Sequence, residues 1–266
     1  MHTLSRQVRF TIDPFSQQQT QGSNSYASKP CGNGLGLYFS LEVDLASELN
    51  RDTGFVVNVS QIDQVVRQEV VPLFENMIYK TFQNRQTPTL ISLIETLRRS
   101  WVAIGSSFQL KTITQLSLEL NPFRQITIQS EEAQMFIYSE KFEFAAMHQL
   151  WNEKFDTAKN FELFGKCANP AGHGHNYILE VLIEKTTESQ DDGWHSEFEK
   201  DVKEHFLDLV DHKNLNVDVA EFKSLNPTVE NLSFLAWQKL EKKLKNAKLH
   251  KIIVWENDRT YCSYAE

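Results

Sequence analysis

With 266 residues, 41% of them hydrophobic and 23% charged, the chain holds enough apolar material for one large domain or two of ordinary size. Its formal net charge of −8 excludes a general nucleic-acid-binding surface, though not a local basic pocket for an anionic small molecule. No stretch resembles a membrane span or a signal peptide, and Cys31, Cys167 and Cys262 make no disulfide framework, so the expected setting is a reducing cytoplasm.

Residues 7–12 alternate apolar and polar as a strand does, and residues 13–34, rich in Gln, Ser, Asn and Gly, read as a loop. A second strand is expected over 35–45 and a turn over 50–54. Ile62, Val65, Val66, Val70, Leu73, Phe74 and Met77 fall at helical spacing, with Pro72 expected to kink or end the element. Thr87-Pro88-Thr89 opens a second helix carrying Leu90, Ile91, Leu93, Ile94, Leu97 and Trp101. Residues 110–120 and 125–129 read as a closing hairpin around Asn121-Pro122.

The second half repeats this plan. Strands are expected over 136–148 and 173–184, separated by a loop over 149–172. A helix follows Gly193, with Phe198, Val202, Phe206 and Leu209 on one face, and another follows Asn226-Pro227-Thr228. Residues 249–255 and 260–264 close with a hairpin. Leu41 and Leu179 lie 138 positions apart, and Gly54/Gly193 and Pro88/Pro227 lie 139 apart. A near-constant offset over separated landmarks predicts a tandem duplication, with repeats over 1–134 and 135–266. Each repeat runs strand–strand–helix–helix–strand–strand, an α+β layer of four antiparallel strands with two helices on one face.

The reactive residues gather in the second repeat. Cys167-Ala-Asn-Pro-Ala-Gly-His173-Gly-His175 places a thiol and two imidazoles within nine positions. Residues i and i+2 of a strand share a face, so His173 and His175 would project together, and Pro170 and Gly172 would bend Cys167 back toward them. His148 ends the neighbouring strand and is the candidate third ligand of a His₃ zinc site with one open position. By the same offsets the first repeat has Leu35 and Leu37 for the two histidines, and Pro14 is taken as the counterpart of His148, so it should hold no such metal; Cys31 reads as an ordinary thiol. Asp211 beside His212 offers a carboxylate and an imidazole for proton transfer, or two polar surface residues. Glu230 and Glu256 are candidate carboxylate ligands; Glu230 also suits a helix N-terminus for dipole reasons alone.

These motifs resemble the 6-pyruvoyl tetrahydropterin synthase / 6-carboxytetrahydropterin synthase family, which has the T-fold. The resemblance covers residues 136–266 through Phe-Ala-Ala-Met-His148, Leu-Phe-Gly-Lys-Cys167, the His173–His175 strand, Asp211-His212-Lys-Asn-Leu-Asn, Asn-Pro-Thr228-Val-Glu230-Asn and Val-Trp-Glu256. It implies a tandem T-fold assembling into a barrel. It implies Zn²⁺ on His148, His173 and His175, Cys167 as general base, and Asp211 with His212 completing the proton-transfer set. Thr228, Glu230 and Glu256 would grip a pterin ring, and the substrate would be 7,8-dihydroneopterin triphosphate. It further implies a homo-oligomer with sites at repeat or subunit interfaces, and neither nucleic acid nor membrane as partner. Lys166 and Lys213 are candidate positive charges for the triphosphate, or solvated surface residues. Both the 6-pyruvoyl product of tetrahydrobiopterin synthesis and the 6-carboxy product of queuosine synthesis stay open. So does a non-catalytic tandem T-fold that binds a pterin or purine or scaffolds an assembly. The chain departs from the family pattern at Gly193-Trp-His-Ser-Glu197-Phe198 and at Asn257. In the first repeat Ile91 replaces Glu230, and Glu119 is the expected counterpart of Glu256.

Overall fold

The computed structural model describes residues 1–15, 36–108, 112–129, 134–187 and 193–266. Most of the expected loop over 13–34, with Cys31, lies outside the described residues, as do Leu35 and residues 110 and 111. The chain divides into two compact units, one centred on Met1–Tyr138 and the other on Ser139–Lys185 and the chain beyond residue 192.

The first unit comprises β1 (His2–Ile12), β2 (Leu37–Ser47), α1 (Val59–Val65), α2 (Val71–Gln83), α3 (Leu90–Ser107), β3 (Thr112–Asn121) and β4 (Arg124–Ile128). The strands are antiparallel in the order β1-β2-β3-β4. Val8, Phe10 and Ile12 of β1 are buried, as are Leu41, Val43 and Leu45 of β2. Ile62, Val66, Val70, Phe74 and Ile78, spaced by four, form the buried helical stripe. Each fully buried Leu, Ile or Phe stabilises the unit by ~1.5–3 kcal/mol. Arg6 donates from Nε and one terminal nitrogen to the two oxygens of Asp63, at 2.8 and 2.7 Å, and ties β1 to α1. β1 starts earlier than its apolar pattern, because the ladder with β2 runs to His2↔Ser47 and needs only main-chain groups.

Pro72 does not end its helix. A π-helical stretch, Val66–Val70, joins α1 to α2, and Pro72 sits in the first turn of α2, where its missing N–H and its ring are tolerated. The helix of the second unit carries a π stretch of the same length, Lys203–Leu207, without a proline.

The second unit comprises most of β5 (Met135–His148), then α4 (Thr157–Phe164), β6 (His173–Thr186), α5 (Trp194–Val202), α6 (Asp208–Val210), β7 (Lys213–Asn214), α7 (Leu215–Asp218), α8 (Val229–Leu240), β8 (Lys248–Asn257) and β9 (Thr260–Tyr264). The strand order is β5-β6-β8-β9, with the two-residue β7 parallel to the end of β5. The segment 149–172, read from sequence as a loop, contains α4, capped by Asp156 accepting from Lys159 N, and a 3₁₀ turn, Gly165–Ala168.

The architecture is an α+β tandem repeat, but the expected closure into a barrel does not occur. The strand order is linear in each unit, ending on β1 in the first and on β9 in the second, and neither edge strand has a second partner among the described residues. A barrel needs its first and last strands to share a ladder.

The two units repeat one ring stack. Phe10 stacks on Phe39 at 5.6 Å with Phe74 against both, and Phe144 stacks on Tyr177 at 4.9 Å with Phe206 against Phe144. These rings fix the correspondence better than the glycines do: Phe74 and Phe206 are closer in sequence than the offset between Gly54 and Gly193 requires. The hairpin registers correct a second reading. Glu119 pairs Gln125 and Asn121 pairs Arg124, while Trp255 pairs Tyr261 and Asn257 pairs Thr260. Leu120, not Glu119, therefore stands where Glu256 stands in the second unit.

Candidate active site

β5 and β6 deliver the imidazoles. Phe144, Ala146 and His148 alternate into the interior of the unit, and His173, His175 and Tyr177 share one face of β6. Gly172 makes the approach possible. Its φ is +68°, and a Cβ there would meet the His148 carbonyl oxygen at 3.0 Å. Its N–H closes a turn onto Asn169 O at 2.8 Å, which returns the chain from Cys167 to β6.

His148 is 1% exposed, and its Nδ1 lies 2.8 Å from the Pro227 carbonyl. A carbonyl only accepts, so Nδ1 carries the proton and Nε2 turns a lone pair toward the cluster. That Nε2 is 3.1 Å from Nε2 of His173. One ligand atom from each of His148, His173 and His175 lies within 4.8 Å of the others. A Glu256 oxygen lies 3.5 Å from His175 Nε2 and 3.8 Å from His148 Nε2. The buried His173 Nδ1 and His175 Nε2 have no hydrogen-bond partner. Burial pushes the His148 and His173 imidazoles below their ordinary range, and the neighbouring rings add to this. Three imidazoles converging on one point, with unsatisfied ring nitrogens, fit a metal ion; among the described residues the cluster can hold one.

The other candidates are placed unequally. Cys167 is a half-buried free thiol in the 3₁₀ turn; burial and then the Glu256 carboxylate push its pKa up. Asp211 and His212 do meet, with His212 Nδ1 2.9 Å from Asp211 Oδ1. The same oxygen accepts from Ala145 N at 2.9 Å, and His212 takes a left-handed φ of 55°. Yet His212 is 81% exposed and lines a cavity of about 430 Å³ with Ala145, Met147, Gly174, His175, Asn176 and Lys213. Ala145, Met147, Gly174 and Asn176 alternate with the residues that face the imidazole cluster, but Ala146 and His175 also border this cavity. His212 thus borders the same cavity as His175. Thr228 is the N-cap of α8, its hydroxyl accepting from Asn231 N at 3.3 Å, and Glu230 is exposed in the first helical turn. Lys166 and Lys213 are both exposed.

Two contributors were not singled out in the sequence. The Pro227 carbonyl sets the His148 tautomer, and only the neighbouring Thr228 and Glu230 drew notice. Tyr177, on the β6 face of the two histidines, is buried with its hydroxyl 3.5 Å from His148 Nδ1 and its ring 5.5 Å from His175. Burial, then Glu256 and Cys167, push its phenol well above the usual range.

This second unit is also where the chain meets known proteins. Residues 137–266 match the family model for 6-pyruvoyl tetrahydropterin synthase. The chain is 37% identical over 124 residues to the 6-pyruvoyl tetrahydrobiopterin synthase of Dictyostelium discoideum, covering 46% of this chain and 89% of that one. It is 34% identical over 128 residues to the enzyme of that name from Homo sapiens, covering 47% and 88%. The solved 6-pyruvoyl tetrahydropterin synthase of Caenorhabditis elegans shares 31% identity over 50% of this chain and 96% of its own, with a TM-score of 0.46. The chain belongs to the 6-pyruvoyl/6-carboxy-tetrahydropterin synthase family. Most of the first unit lies outside the matched residues. No helix among the described residues is long and apolar enough to cross a membrane.

Proposed function

We propose that the second unit is the catalytic repeat of a zinc-dependent pterin synthase acting on 7,8-dihydroneopterin triphosphate, and that the first is a degenerate repeat without metal ligands. The convergence of His148, His173 and His175 beside Glu256, in the unit that matches the family, carries this reading. Zinc held by the three imidazoles would supply Lewis-acid chemistry, acidifying C–H and O–H bonds of the substrate side chain. Cys167 would take a proton from the side chain. The C–O bond then breaks, and triphosphate leaves with the electron pair. The ring gains the hydrogens that the side chain loses, so no external oxidant enters. Glu256 would accept two parallel N–H bonds from the aminopyrimidine edge, which orients the ring. Thr228 and Glu230, at the mouth of α8, would add pterin contacts, and Lys166 and Lys213 are candidates for the triphosphate.

We assign Asp211 and His212, whose imidazole is exposed and borders one cavity with His175, to the proton-transfer set of a centre completed by a second copy of the chain, in a homo-oligomer. The relatives named above favour the 6-pyruvoyl product over the 6-carboxy one. The test is incubation of zinc-loaded protein with dihydroneopterin triphosphate and mass analysis of the products. The proposal expects 6-pyruvoyl tetrahydropterin and free triphosphate from wild type, with a large loss in Cys167→Ala. Equal inertness of both proteins would remove the synthase reading and leave a non-catalytic pterin binder; a 6-carboxy product would move the chain to the other branch.

A further inference from the structure

The main chain that leaves β5 is gripped by side-chain amides. Asn216 makes two bonds to Gln149: Gln149 N–H donates to Asn216 Oδ1 at 2.7 Å, and Asn216 Nδ2 donates to Gln149 O at 2.9 Å. This is the pattern by which a strand residue pairs with its neighbour. It continues a real ladder, since β7 pairs Ala146↔Lys213 and Met147↔Asn214 and then ends. Asn216 thus extends the pairing past His148 with a side chain in place of a backbone. Its own position is set locally: its N–H donates to Asn214 Oδ1 at 3.1 Å, and Asn214 N–H donates to Asp218 Oδ2 at 2.8 Å.

What Asn216 holds is the residue next to a metal-ligand candidate. Gln149 follows His148 directly, and its side chain donates to Ala168 O at 3.1 Å. Leu150 N donates to Cys167 O at 2.8 Å. The same short segment therefore sets where the His148 imidazole leaves β5 and where the Cys167 turn lies. We propose that Asn216 is a positioning residue for the three-imidazole site, acting through the main chain of Gln149; this rests on the metal reading above. Neither amide group is dispensable, because the Gln149 N–H needs an acceptor and its C=O needs a donor.

Asn226 supplies the contrast. It also holds this segment, accepting from Trp151 N at 2.9 Å, but the contact uses only its side-chain oxygen. Asn226→Asp keeps that acceptor. Asn216→Asp keeps one bond, loses the donor, and sets a carboxylate oxygen against the Gln149 carbonyl. The added negative charge would by itself favour a cation, so weaker metal binding in Asn216→Asp runs against simple electrostatics.

The experiment measures Zn²⁺ affinity by chelator competition and the ligand-field spectrum of the Co²⁺-substituted protein. Wild type, Asn216→Asp, Asn216→Ala and Asn226→Asp are compared, with thermal unfolding in parallel. The expected result is affinity about 10–100-fold weaker in both Asn216 variants, with a changed Co²⁺ spectrum, while Asn226→Asp matches wild type. If Asn216→Ala does not fold, Asn216→Asp carries the test. A lowered melting temperature with an unchanged Co²⁺ spectrum and affinity in Asn216→Asp would reduce Asn216 to a structural residue and overturn the proposal. Equal losses in Asn216→Asp and Asn226→Asp would also overturn it. Uptake of neither metal by wild type would instead sink the metal reading, and this inference with it.

Discussion

Phe39 and Tyr177 hold the same place in two copies of one ring stack, and a hydroxyl separates them. In the second unit that hydroxyl looks toward His148. In the first, the position four residues beyond Phe10 is Pro14, where His148 stands four beyond Phe144; Leu37 stands for His175 and Leu120 for Glu256. Beside Leu37 and Leu120 the first unit has an open, mostly apolar pocket of about 490 Å³, lined also by Phe39, Ile78, Pro88 and Leu93. The stack, the helical stripe and the strand order are kept, while the described residues of the first unit hold no such polar cluster. The cluster is therefore not what holds this fold together. It also opposes folding, because His173 Nδ1 and His175 Nε2 are buried without partners. A group that fills the site would relieve that cost.

The largest effect expected from breaking this comparison is at His148. His148→Ala should weaken zinc binding by more than about 100-fold in chelator competition, whereas Pro14→Ala, at the matching place, should leave it unchanged. Next come the exchanged residues of the closing hairpins. Glu256→Leu should lower kcat/KM for the pterin substrate about 100-fold or more, since two hydrogen bonds to a charged group are lost. Leu120→Glu should create no metal site and should destabilise the protein by about 1–3 kcal/mol in denaturant titration, because a carboxylate enters a mostly apolar pocket.

Smaller still is a pair of glycines. Gly54 and Gly172 both have left-handed φ, +71° and +68°, but a Cβ at Gly54 meets nothing within 4 Å. Each change to Ala should cost about 1–2 kcal/mol for handedness. Gly172→Ala should cost more, because the His148 carbonyl is in the way, and equal midpoints would contradict the crowding.

The smallest concerns pH. The Ala145 N–H, with help from His212, holds the Asp211 carboxyl below its ordinary range. A depressed folded pKa stabilises the protein above the unfolded value and loses that contribution as pH falls through the folded one. Asp211→Asn should therefore melt below wild type at pH 7, by at most about 1 kcal/mol given its exposure, and the two should converge in acid. A difference that persists at low pH would show that the carboxylate charge is not the cause.

How far the sequence reached follows the same physics. The imidazoles were legible because a strand has period two, which puts His173 and His175 on one face whatever their neighbours do. The duplication was legible through Leu41/Leu179, which sit in β2 and β6, and through Pro88/Pro227, which directly precede the N-caps of α3 and α8. Glu119 misled because the offset falls from 139 at Pro88/Pro227 to 136 at Asn121/Asn257, three fewer residues lying between the helix start and the closing hairpin in the second unit. Pro72 misled because a π stretch lets the helix pass through it. Adjacency joined Asp211 to His212 but gave no sign that His212 would be largely exposed, bordering His175 across an open cavity. The Asn216 clamp was invisible, since it depends on β7 ending two residues before it.

The most direct test of the central claim is zinc counted per chain by elemental analysis, in wild type and in His173→Ala. A single centre confined to the second unit predicts about one zinc per chain in wild type and close to none in the variant. Two zinc ions per chain, or a wild-type content that survives in His173→Ala, would contradict it.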